Sequence, residues 1–460
     1  MSQSLRVAII GAGPSAFYAA EQLLRQDNID VRVDMFDRLP TPYGLVRAGV
    51  APDHQKIKNV TKAFAQVATD PRFRFFGFVE YGKDVTLEDL KQHYHQVLFA
   101  TGAQSDKRMG IPGEDLGGSH PATAFVAWYN GHPDYRDYQF DLTQERVAIV
   151  GVGNVAIDVA RILCLSPNEL AKTDMADYAI EALSNSRVRE VYLLGRRGPA
   201  QAAFTNPEIK ELGELEDADV VIRPDEAELD PLSKTLVEGS GDRSLAKKVE
   251  LLQAHANQAP VGRLRRLFLR FLVSPVELVG DSAGNVTRMR LVKNELVQDE
   301  AGSIVARATD HFEDLPVGLV FRSVGYRGSP LPGIPFHDRW GVILNEKGRI
   351  VDPDSNRPII GEYTTGWIKR GPSGVIGTNK PDAHETVACM LEDAAEACTL
   401  HPDFPESDIE AELIRKKQPR YVTFGDWLKL DEIEVRRGQA AGRPRVKLTS
   451  FDEMLAALGK

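Results

Sequence analysis

The feature that most constrains the fold is a glycine-rich turn that occurs twice, each time directly after a short apolar run. Residues 6–10 (RVAII) precede GAGPSA at 11–16, and residues 146–150 (RVAIV) precede GVGNVA at 151–156. In this G-x-G-x-x-A pattern the first glycine allows a tight turn from strand to helix, and the second lets a pyrophosphate approach backbone N–H groups. One match is a weak signal. Two matches in the same strand–turn–helix context indicate a chain that binds two dinucleotides.

The residues that follow the second strand of each repeat predict which dinucleotide binds where. Asp37 ends the predicted strand 31–36, and Arg196 and Arg197 follow the predicted strand 191–194. A carboxylate at this place accepts a hydrogen bond from a free ribose hydroxyl, whereas guanidinium groups bind a 2′-phosphate. The sequence therefore predicts FAD at the first site and NADP(H) at the second. The alternatives are a solvated aspartate and a solvated basic turn.

Length and charge narrow the class of protein. A chain of 460 residues exceeds one core of ordinary size, so we expect two domains. The net charge of −10 argues against general binding to nucleic acid or to an anionic membrane. No apolar run approaches the roughly 20 residues of a membrane span. The chain starts in a strand without a charged and apolar leader, which predicts a cytoplasmic protein.

The three cysteines, Cys164, Cys389 and Cys398, argue against thiol chemistry. None of them forms a C-x-x-C pair, and three thiols are too few for a four-cysteine iron–sulfur cluster. We expect each of them to be a packed thiol on a helix. Neither they nor the ten histidines show metal-ligand spacing, so no metal site is predicted.

Two later stretches carry further predictions. The segment 263–272 mixes apolar residues with four arginines, Arg263, Arg265, Arg266 and Arg270. It is either a sheet edge or helix with solvated arginines, or a basic docking face for an acidic partner protein. Near residue 328 we expect a return to the first domain, where a glycine-dense loop precedes a helix from roughly Pro381 to Ala397. The tail after His401 shows no motif that predicts a role.

Taken together, the motifs resemble one known family. GAGPSAFYAA, PTPYGLVRAGVAPDH, ATGAQ, IPGEDL, GVGNVAIDVARILC, GRRGPAQAAFT and GWIKRGPSGVIGTNK are similar to those of adrenodoxin-reductase-type ferredoxin–NADP⁺ reductases, most closely the bacterial branch. The resemblance extends over nearly the whole chain. It implies an α/β fold with two Rossmann-like dinucleotide-binding domains, in which an NADP domain (106–328) is inserted into an FAD domain (1–105 and 329–460, with the C-terminal tail).

The resemblance also implies residues for each site. With the fingerprint residues included, the FAD positions are Gly11, Gly13, Ser15, Ala16, Asp37, Leu45, Val79, Trp367, Gly374, Val375 and Ile376. The NADP(H) positions are Val152, Gly153, Asn154, Val155, Arg196, Arg197, Glu208 and Gly374. His54 and Glu211 match a catalytic pair near the nicotinamide side of the flavin. For His54, a hydrogen-bonding role without proton transfer is the alternative.

The implied activity is hydride transfer between the nicotinamide C4 and the flavin N5, followed by one-electron transfer to or from a ferredoxin-type iron–sulfur protein. Two positions depart from the family pattern: Asp37 stands where glutamate is common, and Pro207 interrupts helix-forming residues before Glu208. Two other functions use the same nucleotide sites. One is an NADPH-dependent flavin oxidase or monooxygenase, and the other is a sensor or electron-transfer subunit with slow hydride transfer.

Overall fold

The computed structural model describes residues 4–404 and 408–460. They form two compact units. The first consists of the described residues up to Ser105, Asn130–Asp134 and those from Gly325 to Lys460, and the second of Asp106–Tyr129 and Tyr135–Val324. The chain leaves the first unit, forms the second and returns. The return lies slightly earlier than residue 328, and the short segment Asn130–Asp134 belongs to the first unit.

The elements alternate between strand and helix over much of the chain. In chain order the strands are β1 Leu5–Ile10, β2 Val31–Asp37, β3 Phe73–Gly77, β4 Gln96–Phe99, β5 Ser105–Asp106, β6 Ser119–Pro121, β7 Arg146–Val150, β8 Glu190–Leu194, β9 Ala218–Ile222, β10 Arg265–Arg270, β11 Val273–Gly280, β12 Val286–Gln298, β13 Ile304–Pro316, β14 Leu319–Arg322, β15 Tyr326–Arg327, β16 Phe336–His337, β17 Val342–Ile343, β18 Asn345–Glu346, β19 Arg349–Val351 and β20 Pro358–Thr364.

The α-helices are α1 Pro14–Leu24, α2 Leu45–Ala48, α3 Gln55–Lys58, α4 Val60–Val67, α5 Leu87–His93, α6 Ala122–Tyr129, α7 Asn154–Cys164, α8 Pro167–Leu170, α9 Asp177–Ser184, α10 Asn206–Gly213, α11 Pro224–Ala227, α12 Pro231–Ser240, α13 Arg243–Ala256, α14 Trp367–Arg370, α15 Asn379–Ala395, α16 Arg415–Lys417, α17 Phe424–Ala440 and α18 Phe451–Ala457. Short 3₁₀ turns cover Pro133–Tyr135, Pro199–Gln201 and Ile376–Thr378, and a π turn covers Glu410–Ile414. Within the described chain, none of the helices combines the length and the apolar character needed to cross a bilayer.

The first unit is built on a seven-stranded sheet in the order β18-β19-β20-β4-β1-β2-β3. Its five strands from β20 to β3 are parallel. Alternate residues of β1 enter two different clusters, Val7 and Ile9 on one face and Ala8 and Ile10 on the other. Both faces are therefore covered, which explains why a parallel strand of this kind is an uninterrupted apolar run.

The second unit contains a six-stranded parallel sheet in the order β6-β14-β7-β8-β10-β9. Val147 and Ile149 of β7 face the helices, whereas Ala148 and Val150 face a cluster that includes Met289. Met289 belongs to a separate antiparallel sheet, β11-β12-β13. The predicted α/β class with two Rossmann-like units is thus confirmed.

One prediction about local structure is wrong. The arginine-rich segment is neither a helix nor a sheet edge, because β10 lies between β8 and β9. Two features go beyond what the sequence indicated. Strands β11 and β12 form an antiparallel pair to which β13 adds a third strand. In the tail, for which no role was predicted, Trp427 and Leu430 of α17 and Met454 of α18 are buried in the first unit's core.

Candidate functional site

The first glycine of each fingerprint lies where two neighbouring strands diverge. Gly11 follows β1, has a φ of 104° and donates its N–H to the carbonyl of Phe36 at 2.7 Å. A Cβ atom on Gly11 would lie 2.6 Å from the carbonyl oxygen of Ala100, at the end of β4. Only glycine fits this close approach. β2 follows β1 on one side of the sheet and β4 lies on the other, which is the crevice where α/β sheets bind ligands.

The second fingerprint repeats this geometry in the other unit. Gly151 follows β7 with a φ of 129°, and its N–H donates to the carbonyl of Leu194 at 2.9 Å. A Cβ atom here would lie 2.1 Å from the carbonyl oxygen of Ser323, just after β14. The two turns therefore use equivalent hydrogen bonds and equivalent backbone contacts, each at a point where the strand order reverses.

The helix that follows each turn has an uncapped N-terminus. Gly13 precedes α1 and Gly153 precedes α7, and neither helix has a side-chain cap. No atom lies within 4 Å of where a Cβ would stand on either glycine. The first N–H groups and the positive end of each helix dipole thus face open space, which suits the pyrophosphate of a dinucleotide.

Asp37 ends β2 and joins the first fingerprint to the loop after that strand. Its carboxylate accepts the N–H of Ala12 at 2.8 Å and the N–H of Leu39 at 2.9 Å. Burial raises the pKa of Asp37, against the opposing effects of these two hydrogen bonds and of Arg38. An ionised carboxylate offers about four lone pairs, so a ribose hydroxyl can still be accepted.

A segment from the far end of the chain contacts the start of α1. Gly366 has a φ of 79°, and a Cβ atom on it would lie 2.4 Å from Oγ of Ser15. The N–H of Gly366 donates to the Asp382 carboxylate at 2.6 Å, and Lys369 pairs with the same carboxylate at 3.2 Å. This buried carboxylate places Trp367, the first residue of α14, next to the first fingerprint.

In the second unit, Arg196 and Arg197 follow β8 as predicted. Arg196 is exposed and Arg197 is half-buried. Within the described residues neither guanidinium lies at ion-pairing distance from a carboxylate. Burial and the neighbouring charge of Arg196 lower the pKa of Arg197. Two adjacent cations without a counter-charge suit a phosphate dianion.

Known proteins resemble this chain in both sequence and structure. A model of the pyridine nucleotide-disulphide oxidoreductase family matches residues 5–212. The NADPH-ferredoxin reductase FprA of Mycobacterium tuberculosis is 46% identical over 98% of both chains. The mitochondrial NADPH:adrenodoxin oxidoreductase of Arabidopsis thaliana is 39% identical over 99% of this chain and 96% of its own. The solved structure of M. tuberculosis FprA in complex with NADPH has a TM-score of 0.93 at 45% identity, covering 99% of this chain and all of the other.

The chain belongs to the adrenodoxin-reductase-type ferredoxin–NADP reductase family. The similarity to these relatives covers nearly the whole chain, including the C-terminal tail.

The other predicted FAD positions differ in exposure. Leu45, at the start of α2, is 38% exposed, and Val375, in the loop before α15, is 53% exposed. Both present apolar surface to solvent. Trp367 donates its ring N–H to the carbonyl of Ser373 at 3.2 Å, which ties α14 to that same loop. Val79 is only 1% exposed and donates its N–H to the carbonyl of Asp37, so it acts mainly in packing.

The segment just before Leu45 lies against the first fingerprint. Tyr43 has a φ of 83°, an unusual value for a residue other than glycine, and its N–H donates to the carbonyl of Ala12 at 2.8 Å. A Cβ atom on Gly44 would lie 3.0 Å from the Cα of Gly13. A strained backbone of this kind persists only where its surroundings hold it.

The C-terminal tail supplies that support, which the sequence did not predict. Arg47 of α2 forms a two-pronged ion pair with the fully buried Glu434 of α17 at 2.8 and 2.5 Å, and lies over the ring of Trp427. Lys447 donates to the carbonyl of Arg47 at 3.2 Å and to that of Asn130 at 3.1 Å. The charges of the tail were visible in the sequence, but their partner lies 387 residues away.

His54 and Glu211 lie in different units. His54 is half-buried and immediately precedes α3, and its N–H donates to the carbonyl of Ala51 at 3.0 Å. Glu211 lies on α10, with a carboxylate oxygen 3.5 Å from Nε of Arg161 on α7. Arg161 is buried, so Glu211 helps to neutralise an internal charge beside the second fingerprint helix.

Within the second unit, Val152 and Asn154 of the second fingerprint bind the segment that leads to Glu208. The N–H groups of Ala203 and Phe204 donate to the carbonyl of Val152 at 2.9 and 3.1 Å, and the Asn154 side chain accepts the N–H of Thr205 at 3.1 Å. The hydroxyl of Thr205 donates in turn to Glu208 in the first turn of α10.

Pro207 does not disturb the entry of α10. It occupies the first turn of the helix, where no backbone N–H is needed for the helical pattern. The helix continues through Glu208 and Glu211 to Gly213. The departure from the family pattern at this position is therefore accommodated locally.

The expected docking face on Arg263, Arg265, Arg266 and Arg270 is wrong for two of its four members. Arg265 is 5% exposed and Arg270 is 3% exposed. Arg270 pairs with Glu226 at 2.8 Å and with Glu313 at 2.9 Å. Strand β10 is an internal strand, so alternate side chains of this segment have to enter the interior.

The three cysteines differ in burial. Cys164 on α7 is fully buried, and burial raises the pKa of its thiol to about 12. Cys389 on α15 is also buried. Cys398 is exposed and follows the end of α15, so the expectation of a packed helical thiol is wrong for this residue.

Proposed function

We propose that this protein is an FAD-containing ferredoxin–NADP⁺ reductase, which moves a hydride between NADP(H) and FAD N5 and exchanges single electrons with a ferredoxin-type iron–sulfur protein. The observation that carries the proposal is the contrast between two equivalent turns. Asp37 stands after one, and Arg196 and Arg197, which have no carboxylate at ion-pairing distance among the described residues, stand after the other. The 46% identity to a protein named NADPH-ferredoxin reductase supports the same activity.

The first unit is the proposed FAD domain. The N–H groups around Gly13 and at the start of α1 would hold the pyrophosphate, and Asp37 would accept a ribose hydroxyl. Leu45 and Val375 would cover the apolar ring system and exclude water from it. Bound FAD supplies the ability to accept a hydride and release its electrons one at a time.

The second unit is the proposed NADP domain. The start of α7 would hold the pyrophosphate of NADP(H), and Arg196 and Arg197 would bind its 2′-phosphate. Glu208 and Glu211 lie on α10. Glu208 accepts a hydrogen bond from Thr205, and Glu211 pairs with Arg161 of the fingerprint helix α7. By family analogy we propose that Gly374 contacts NADP(H) as well as FAD, and that Val375 and Ile376 contact FAD.

We propose that His54 and Glu211 orient the nicotinamide and do not transfer protons. The reduced flavin would exchange its protons with solvent. Neither hydride transfer nor electron transfer requires a general acid. His54→Ala and Glu211→Gln should therefore lower the rate of flavin reduction without changing its pH profile. If the pH profile of flavin reduction loses one titration step in either variant, the replaced residue takes part in proton transfer.

The proposed partner is an acidic ferredoxin-type protein. Of the arginines first considered for docking, only Arg263 and Arg266 are on the surface, and Arg266 is already paired with Glu190. The docking surface therefore has to involve other residues. A cytoplasmic location is part of this proposal.

The decisive experiment is an anaerobic titration of the FAD-loaded protein with NADPH, followed by addition of a [2Fe–2S] or [4Fe–4S] ferredoxin. We expect bleaching of the flavin absorbance by NADPH and its recovery when ferredoxin is added. When air is then admitted to the NADPH-reduced protein, fast reoxidation coupled stoichiometrically to an organic substrate would instead indicate an oxidase or monooxygenase. Binding of FAD with slow bleaching would indicate a sensor.

A further inference from the structure

The turn that carries the two arginines is fastened to the segment after β10. The N–H of Gly195 donates to the carbonyl of Arg270 at 2.9 Å, and the carbonyl of Gly195 accepts the N–H of Val273 at 3.0 Å. The carbonyl of Arg197 accepts the N–H of Leu272 at 3.2 Å. These backbone bonds leave the carbonyl of Arg196, between them, without a backbone donor from this segment.

A side chain from a different sheet binds that carbonyl. Asn294 lies on β12, directly after a bulge in its pairing with β13, and is 4% exposed. Its Nδ2 donates to the carbonyl of Arg196 at 2.8 Å and to Oγ of Ser274 at 2.8 Å. Its backbone N–H donates to the carbonyl of Leu272 at 2.7 Å. Asn294 therefore fixes both the arginine turn and the segment to which the turn is fastened.

The hydrogen bond to the Arg196 carbonyl helps to position the backbone from which the side chains of Arg196 and Arg197 extend. It fixes the peptide plane between Arg196 and Arg197. Together with the hydrogen bonds to the carbonyls of Gly195 and Arg197, it restricts the Cα–Cβ directions of both arginines. Since neither guanidinium has a carboxylate partner in the described chain, the backbone is what orients them. A site whose groups are oriented before binding loses less conformational entropy when the ligand arrives.

We propose that Asn294 is a positioning residue that sets the preference for NADP(H) over NAD(H), by holding the Arg196–Arg197 peptide in the orientation that receives the 2′-phosphate. This inference rests on the proposed function of the second unit. It concerns one part of the nucleotide only, because the fingerprint turn that would hold the pyrophosphate is built from other residues and other hydrogen bonds.

The variants follow from this geometry. Asn294→Leu retains a similar volume and removes the donor, and Asn294→Ala removes the donor without an added apolar branch. Ser274→Ala is the matched control, because it removes the second acceptor of the same amide and leaves the bond to Arg196 intact.

The binding measurement is calorimetric titration of the FAD-loaded protein with 2′,5′-ADP and, separately, with 5′-AMP, which lacks the 2′-phosphate. Both Asn294 variants should bind 2′,5′-ADP about fivefold more weakly, the factor that corresponds to one hydrogen bond of ordinary net strength. Their affinity for 5′-AMP should be unchanged. With ferricyanide as acceptor, the KM for NADPH should rise similarly while the KM for NADH and both kcat values stay constant.

Unchanged 2′,5′-ADP affinity in both variants would overturn the inference. An equal loss for 2′,5′-ADP and 5′-AMP in both would also overturn it, since that pattern indicates general damage to the unit. A Ser274→Ala variant as defective as Asn294→Leu would likewise overturn it. If the unmodified protein binds 2′,5′-ADP no more tightly than 5′-AMP, the proposed NADP(H) site itself fails.

Discussion

Replacing Glu434 by alanine should release the backbone segment that lies against the first fingerprint. Glu434 is fully buried on α17 and accepts two hydrogen bonds from Arg47, one from Arg445 at 3.2 Å and one from the N–H of Leu448 at 2.9 Å. Arg47 has a side chain only 10% exposed, so truncation of Glu434 leaves an internal guanidinium without its paired carboxylate, although it still lies over the ring of Trp427.

The magnitude follows from the cost of an uncompensated buried charge. Removing one partner of a buried ion pair costs about 3–5 kcal/mol. For a domain of roughly 150–250 residues each kcal/mol shifts the melting temperature by about 2–4 °C. The melting temperature of the first unit should therefore be roughly 6–20 °C lower in the Glu434→Ala variant. FAD should also be released at a lower temperature, because Arg47 lies in the segment after Gly44.

The assay is thermal release of FAD, followed by the increase in flavin fluorescence. Asp431→Ala is the matched control: it also removes a carboxylate partner of Arg445 from α17, but this carboxylate is 33% exposed, and surface pairs contribute about 0–1 kcal/mol. A Glu434→Ala variant that releases FAD within 2 °C of the Asp431→Ala variant, in an assay with roughly that precision, would refute the reasoning.

Three further outcomes are expected. Arg196→Ala and Arg197→Ala should each weaken NADPH binding by at least about tenfold, since a charged hydrogen bond contributes about 1.5–3 kcal/mol, and leave the KM for NADH unchanged. Burial acts to raise the pKa of Glu434, but Arg47 and the other donors hold the pKa below its usual range. The ionised Glu434 therefore contributes its full stabilisation of the folded protein above about pH 4.3, and this contribution is lost as the pH falls further. In melting curves from pH 7 to 3, the melting temperature should fall more steeply at acid pH for the unmodified protein than for Glu434→Gln. Arg270→Ala should lower the melting temperature of the second unit while the salt dependence of ferredoxin-driven turnover stays as before; a flattened salt dependence would restore the docking role of that arginine.

Much of the fold was predictable because its signals are local. Strands β1, β7 and β8 are short, each is followed directly by a glycine, and their residues enter clusters on both faces of the sheet. The first glycine of each fingerprint needs a positive φ, which is a property of the residue itself. The family resemblance extended these local signals to the whole chain.

Other features were not predictable because they depend on partners distant in sequence. Arg265 and Arg270 look solvated in a sequence, but β10 is inserted between β8 and β9, so the two side chains are buried and Arg270 meets Glu226 and Glu313 there. Nothing near residue 294 indicates that an asparagine on an antiparallel strand binds the carbonyl of Arg196.

The sequence by itself determined that the chain has two dinucleotide turns and which charges follow them, because turn geometry and residue chemistry act within one short stretch of chain. Only the tertiary structure decided which charges are available to a ligand. Among the described residues no carboxylate pairs with Arg196 or Arg197, whereas Arg47, Arg265 and Arg270 are paired or buried inside the protein. Pairing is a matter of spatial proximity, and the proximity of Arg47 to Glu434 exists only once the tail has packed onto the first unit.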